Sequence, residues 1–106
     1  ESEPKNADVQ VNLARVEARA GRLDAAETAL KRAVELAPSA DIYVGLAELA
    51  ATRGRDAETV RWLEQARSRD AKATAPRVLL VRAYLAQNEA DAAQKIADEL
   101  IELTPG

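Results

Sequence analysis

The sequence predicts an all-α fold, an α-solenoid of three stacked helix-turn-helix repeats with six helices in all. The first observation is a period, because Leu13, Leu46 and Leu80 lie 33 and then 34 residues apart, and a fixed spacing of this size is typical of stacked supersecondary units. The second is that apolar residues recur at intervals of three and four, as in amphipathic helices. The third is one residue suited to a left-handed turn in each predicted repeat, at Gly21, Gly54 and Asn88.

The first predicted repeat covers residues 7–39. Its two helices are marked by two apolar stripes: Val9, Leu13, Val16 and Ala20, then Ala26, Leu30, Ala33, Val34 and Ala37. Gly21 lies between them, where a glycine ends a helix readily. Asp24 and Glu27 have the spacing of a capping box, with Asp24 predicted as the N-cap of the second helix. Pro38 is predicted to end that helix, because proline lacks an N–H group and restricts the residue before it.

The second predicted repeat covers residues 40–73 and repeats this pattern. Ser39 is predicted to cap a helix that runs to about Arg53. The chain then turns at Gly54. Asp56 is predicted to cap a second helix that ends at about Arg69.

The third predicted repeat covers residues 74–106. A helix is predicted from Thr74 to Gln87, followed by a turn at Asn88, since asparagine tolerates the left-handed conformation. Asp91 is predicted to cap the last helix, which continues to about Leu103. The three repeats account for most of the chain, so we expect a single domain over residues 1–106.

Composition excludes several classes of function. The net charge of −3, with no basic block, argues against nucleic acid as a partner. The chain has no cysteine, which excludes disulfides and cysteine-type zinc sites, and no apolar run long enough to insert into a bilayer. Because the chain begins at Glu1 rather than Met, we expect it to be a fragment of a longer protein. Its compartment, cytoplasmic or periplasmic, is therefore not readable.

Catalytic and metal-binding residues are not predicted. The chain has no histidine, no cysteine and no glycine-rich phosphate loop, so we expect no enzyme activity and no cofactor. Asp98, Glu99 and Glu102 are the best candidates to hold a hard cation. They are distributed around a helix rather than spaced in a loop, so we expect no metal site.

Taken together, the repeats resemble the tetratricopeptide repeat, a helix-turn-helix of about 34 residues with apolar positions at fixed offsets. The matches in the first repeat are Leu13, Gly21, Ala26, Leu30, Ala33 and Pro38. The resemblance implies a right-handed superhelical solenoid that acts as a protein–protein or protein–peptide scaffold, with the first helix of each repeat lining a concave groove. It implies these groove residues: Asn12, Arg15, Arg19, Glu48 and Arg82.

One binding mode of the resembled family is not expected here. Its chaperone-binding members hold a terminal carboxylate with a clamp of lysine, asparagine and arginine side chains. The corresponding positions in this sequence are Val11, Arg15, Gly45, Ala75 and Leu79. The clamp is missing, so we expect a different kind of partner.

The predicted groove carries a ladder of charges, one in each repeat at the same helix position: Arg15, Glu48 and Arg82. Arginine offers a planar fork suited to carboxylates, so the ladder could orient an acidic or mixed-charge peptide. The other interpretation is that the alternating charges pair with one another or with their neighbours, as surface ion pairs commonly do. The sequence leaves both open. The numerous arginines of repeat two are interleaved with acidic residues, which favours internal pairing.

Two further features concern packing and self-association. Trp62 is predicted to pack between repeats, with an interface contact as the alternative, and Tyr43 and Tyr84 are predicted to be core residues that pack between helices. The last helix carries apolar residues on more than one face, namely Ile96, Leu100, Ile101 and Leu103. Such a helix is expected either to contact a next repeat or to mediate self-association. The alternative function is therefore an oligomerisation or structural spacer module within a larger bacterial envelope or secretion-associated protein.

Overall fold

The structure, a computed structural model, describes residues 3–103, with side chains described from residue 7 onwards. In this range the chain forms six α-helices and no strand: α1 (Glu3–Arg19), α2 (Leu23–Leu36), α3 (Ala40–Thr52), α4 (Asp56–Arg69), α5 (Ala75–Ala86) and α6 (Ala90–Leu103). The helices pair as α1 with α2, α3 with α4 and α5 with α6, and each pair packs on the next through α2 with α3 and α4 with α5. The predicted all-α solenoid of three repeats is confirmed, although the last three residues of the predicted third repeat, 104–106, lie outside the described range.

The turn inside each repeat has the predicted left-handed residue. The φ angles are +84° at Gly21, +74° at Gly54 and +62° at Asn88. In each case the next residue donates its backbone N–H to the carbonyl five residues earlier, as Arg22 does to Glu17 at 2.8 Å. This hydrogen bond is the mark of a Schellman turn, which satisfies the last carbonyl groups of a helix.

The predicted caps are correct at one position and wrong at three. Ser39 is the N-cap of α3, and its hydroxyl accepts a hydrogen bond from the backbone N–H of Ile42 at 3.2 Å. The predicted acidic caps instead lie within the first turn of their helices: Asp24, Asp56 and Asp91. The N-cap of α2 is Arg22, which makes no side-chain capping bond. The next helix begins directly after the Schellman turn, so each aspartate lies inside the helix rather than before it. In the first turn, its carboxylate interacts favourably with the positive end of the helix dipole.

The core is built largely from alanine and leucine. One buried cluster joins the first two repeats and consists of Ala14, Ala26, Ala29 and Leu49. A second joins the second and third repeats and consists of Ala47, Leu63, Leu80 and Ile96. Alanine lets the helices pack closely, whereas Leu46, Leu63 and Leu80 are the largest side chains that are fully buried.

The apolar stripe predicted for the first helix is not part of this core. Val9, Leu13 and Val16 are 59%, 41% and 59% exposed. At the same positions of later repeats, Leu46 and Leu80 are almost completely buried. The period correctly places these residues on equivalent faces, but among the described residues no helix covers that face of α1.

The three aromatic residues are half-buried and pack in two different ways. Trp62 of α4 is half-buried and stacks on Tyr43 of α3 with ring centroids 5.8 Å apart, so this contact lies within repeat two. Tyr84 of α5 reaches across to repeat two, where its hydroxyl donates a hydrogen bond to Glu64 at 2.6 Å. A polar tip bonded to a partner is the usual arrangement for a partly buried tyrosine.

Candidate functional site

Two cavities lie along the side of the array that is formed by α1, α3 and α5, and we refer to them together as the groove. The larger cavity, of about 790 Å³, lies between α1 and α3, and its lining includes Asp8, Asn12, Arg15, Asp41 and Glu48. The smaller, of about 230 Å³, lies between α3 and α5. Glu48 lines both cavities, so it marks the point where they meet.

The two cavities differ in chemistry. The larger one mixes carboxylates and a guanidinium group with apolar side chains such as Val44. The smaller one has a floor of apolar side chains, including Ala47, Leu79 and Ala83, and two of its charged lining residues are Glu48 and Arg82. An apolar depression with a few charged groups at its edge is the common form of a ligand site in proteins.

Four of the five predicted groove residues line these cavities. Asn12 and Arg15 line the larger cavity, Arg82 lines the smaller one, and Glu48 lines both. Arg19 is exposed but lines neither cavity.

The three charges of the ladder are exposed and have no charged partner among the described residues. Arg15, Glu48 and Arg82 are all exposed, and within the described part of the chain none of them forms an ion pair.

Several arginines of repeat two form ion pairs, partly with carboxylates of repeat one and partly with the interleaved acidic residues of their own repeat. Arg53 bonds to Glu27 at 2.9 Å and to Asp24 at 2.6 Å, which ties repeat two to repeat one. Arg55 lies 3.5 Å from the same Glu27 carboxylate. Arg61 and Arg69 of the same repeat form no ion pair with a described residue, so the lack of a charged partner is not specific to the ladder.

An ionic network between repeats two and three was not anticipated from the sequence. Glu99 of α6 accepts hydrogen bonds from Arg67 of α4 at 2.8 Å and from Arg77 of α5 at 3.0 Å. Arg67 also bonds to Glu64 at 2.9 Å, and Glu64 accepts the hydroxyl of Tyr84. The available signal was the spacing, because Glu99 follows Arg67 by about one repeat and so lies on the neighbouring second helix.

The network shifts the pKa values of its members in the directions expected for paired groups. The hydrogen bond from Arg67, which outweighs the opposing effect of burial, lowers the pKa of Glu99 to about 2, with Arg77 contributing. The same bond raises the pKa of Arg67. Burial, followed by the bond to Glu64, raises the pKa of Tyr84 to about 12. These groups are fixed in their ionised or neutral forms, which suits a structural role.

The acidic residues considered as cation ligands do not form a site in the structure. Glu99 is held by two arginines, and Asp98 accepts a hydrogen bond from Gln94 at 2.9 Å. Between residues 7 and 103, no group of three or more carboxylates is arranged to hold a metal ion.

The apolar residues of the last helix lie in different environments. Ile96 is 3% exposed and belongs to the core cluster between repeats two and three, so it is not available for an outside contact. Leu100 and Leu103 are half-buried, and Ile101 is 67% exposed. The prediction that Ile96 contributes to an apolar surface of this helix is therefore wrong. A self-association function is not favoured.

Comparison with known families identifies these repeats. Two tetratricopeptide repeat models match the sequence, one over residues 7–49 and the other over residues 50–106. The chain belongs to the tetratricopeptide repeat family. Tetratricopeptide repeats generally serve as protein–protein interaction scaffolds, and this function applies to the chain in that general sense. No curated protein matches the chain over its sequence.

Solved structures of tetratricopeptide repeat proteins share this fold. A crystal structure of MamA superposes with a TM-score of 0.84 and 22% identity, over 94% of this chain and 55% of the MamA chain. The N-terminal domain of stress-induced protein-1 (STI-1) from C. elegans gives a TM-score of 0.81 and 20% identity, over 97% of this chain and 92% of that domain. The chain thus spans about half of MamA, and at these identities the likeness concerns the fold alone.

Membrane insertion finds no support in the helices. Over residues 3–103, none of the six is both long and apolar enough to cross a bilayer.

Proposed function

We propose that this tetratricopeptide repeat chain is a non-catalytic scaffold that binds a protein or peptide partner in the groove. The observation that carries the proposal is the set of exposed charges at Arg15, Glu48 and Arg82, which line the two cavities and form no ion pair with a described residue. Charges that are not neutralised within a protein are available to a partner, and complementary charge orients that partner and speeds its association.

The groove offers two contributions to binding. The apolar floor of the smaller cavity, between α3 and α5, can remove an apolar side chain of the partner from water. The ladder then fixes the position of the partner's charged groups, with arginine able to form a bidentate pair with a carboxylate. Affinity would come mainly from the floor, and specificity mainly from the ladder.

The order of charges defines the kind of partner. Along the groove the ladder alternates as cation, anion and cation, so the complement of the ladder alternates as anion, cation and anion, and the nearby carboxylates of Asp8, Asp41 and Asp56 favour additional positive charge on the partner. This pattern reads the same in both chain directions, so it is satisfied by a bound segment of either polarity. A mixed-charge protein segment fits it, whereas a uniform polyanion such as nucleic acid would meet repulsion at Glu48.

Affinity capture with the full-length protein as bait tests this proposal. The double variant R15E/R82E should lose the partners recovered by the wild-type protein, because two attractive contacts become repulsive. The matched control is R61E/K95E, which changes the net charge equally at exposed positions on α4 and α6 that line neither cavity. Circular dichroism should show the same helix content for all three proteins.

Two outcomes would contradict the proposal that the partner binds in the groove. If R15E/R82E recovers the same partners as the wild-type protein while R61E/K95E loses them, the partner binds the second-helix side of the array. If both variants retain every partner, neither charged surface contributes.

A further inference from the structure

The exposed apolar stripe on α1 is a surface separate from the groove, because its residues line neither cavity. It consists of Val9, Leu13 and Val16, which follow one another at intervals of four and three and therefore lie on one face of the helix. Their exposed fractions are 59%, 41% and 59%. Three large aliphatic side chains in a row on one face are a marker of an interaction surface.

The later repeats show what normally covers this face. The equivalents of Leu13 are Leu46 and Leu80, which are 1% and 0% exposed. The equivalent of Val16 in repeat two is Leu49, which is buried in a cluster with Ala26 and Ala29 of α2. At the next junction Leu80 is buried with Leu63 of α4. At both junctions the second helix of the preceding repeat contributes to the cover, together with Ala14 of α1 at the first and with Ala47 and Ile96 at the second.

We propose that the α1 stripe is a stacking surface for a further amphipathic helix that precedes α1 in the same polypeptide. Such a helix would occupy the place that α2 occupies on α3 and α4 occupies on α5. By the same equivalence it would present alanine- to leucine-sized side chains to Val9, Leu13 and Val16. The proposal continues an interface that the molecule already uses twice, and it is independent of the groove and its partner.

A second copy of the chain fits this surface poorly. The helix it would offer is α6, in which the equivalent of Leu30 and Leu63 is Ala97, so a central apolar contact is lost. The equivalents of the hydrogen-bonded pair Glu64 and Tyr84 would be Asp98 and Glu17. Two carboxylates would then meet where the internal junction has a hydrogen bond, which is repulsive.

The outer face of α6 is mixed in character. Gln94 and Asp98 are exposed on it and hydrogen-bond to each other. Ile101 lies on the same face and is 67% exposed. This face therefore sets one exposed aliphatic side chain beside two polar ones, whereas the α1 stripe consists of aliphatic side chains alone.

Thiol labelling of the full-length polypeptide tests the proposal. Leu13→Cys is compared with Val78→Cys, whose native side chain is 40% exposed and so matches the 41% of Leu13. This chain has no cysteine of its own, and any cysteine elsewhere in the polypeptide is replaced by serine. If a preceding helix covers the stripe, labelling at position 13 should be at least about tenfold slower than at position 78, because the thiol reacts only on local opening.

Protein concentration separates the possible outcomes. Slow labelling that does not change with concentration supports a covering helix in the same polypeptide. Slow labelling only at high concentration overturns the proposal in favour of a second copy, and equal rates at positions 13 and 78 overturn it because the stripe is then bare. If Leu13→Cys fails to fold, Val16→Cys and Leu85→Cys provide a second pair, with native exposures of 59% and 55%.

Discussion

Glu99 joins repeats two and three through bonds to two arginines. It binds Arg67 and Arg77, and the Arg77 side chain has only 8% of its surface exposed. Removing one partner of a buried ion pair leaves the other charge uncompensated, which is more costly than the net contribution of the pair itself. Arg77 keeps a hydrogen bond to the carbonyl oxygen of Ala73 at 2.6 Å, which limits the loss.

The pH dependence of stability should therefore change in Glu99→Gln. The pKa of Glu99 is lowered from 4.5 to about 2 by folding, so the unfolded state binds the proton more readily. Its stabilising effect should be complete above about pH 5 and should be lost as the pH falls through 4.5 towards 2. After allowance for solvent screening, we expect the variant to lose about 1–2 kcal/mol of unfolding free energy at pH 7.

Urea denaturation at pH 7 and at pH 3 measures this difference. The gap between wild type and Glu99→Gln should narrow at the lower pH. Glu102→Gln, an exposed change on the same helix, should give no gap at either pH. A gap that stays constant with pH would show that Glu99 stabilises the junction by packing rather than by its charge.

The residues of the groove and of this network were predictable to different degrees. Arg15, Glu48 and Arg82 follow from the period alone, because equivalent positions of stacked repeats lie on the same side of the array. The bonds of Arg77 and Glu99 do not, because they depend on where long side chains end after three helices have packed. Sequence spacing gives the helix and the face, but not the rotamer.

Glycine acts in two opposite ways on the elements of repeat two. Gly54 has a φ of +74° and forms the turn between α3 and α4. Gly45 lies in the middle of α3, where an added Cβ would be 3.6 Å from the side chain of Leu30, an ordinary van der Waals distance. The first glycine is needed for its conformation, whereas the second only lowers the stability of its helix.

Alanine substitution should separate these two roles. Gly45→Ala should raise the unfolding free energy by about 1 kcal/mol, since alanine is the better helix former and has room. Gly54→Ala should lower it by about 1–2 kcal/mol, because a side chain at this φ is strained. Thermal unfolding followed by circular dichroism measures both. Destabilisation by Gly45→Ala would show that the added Cβ lies closer to the Leu30 side chain than 3.6 Å and clashes with it.

The starts and ends of the helices show where sequence rules succeeded and failed at this scale. The left-handed turns at Gly21, Gly54 and Asn88 were predictable, because few residues adopt that conformation without strain. The acidic caps were not, because the Schellman turn starts the next helix without a side-chain cap. Ser39, in the connection between repeats one and two, caps its helix as the general rule states.

The whole array is asymmetric in how strongly its repeats are held. Repeats two and three share the buried Leu63, Leu80 and Ile96 and the ionic network. The buried cluster that joins repeat one to repeat two consists of three alanines and Leu49, and this junction also has the ion pairs of Arg53 with Asp24 and Glu27. The period predicted three equivalent units, but burial depends on neighbours, and the outer face of α1 has none among the described residues.

This asymmetry predicts that the 106-residue chain opens from repeat one. The stability of a solenoid is approximately the sum of repeat and junction terms, so the repeat with the weaker junction and one free side opens first. Each large aliphatic side chain left exposed forgoes about 1.5–3 kcal/mol. We therefore expect the amides of α1 and α2 to open with a free energy lower by on the order of 2 kcal/mol than those of α4 and α5.

Native-state hydrogen exchange at increasing denaturant concentration measures these opening free energies helix by helix. Uniform protection across the six helices would show that the chain unfolds as one unit, and weaker protection in α6 than in α1 would reverse the predicted order. The same measurement on a longer polypeptide links this prediction to the α1 stripe. If a preceding helix covers Val9, Leu13 and Val16, the protection of α1 should rise to that of α3, because both helices would then be held from two sides.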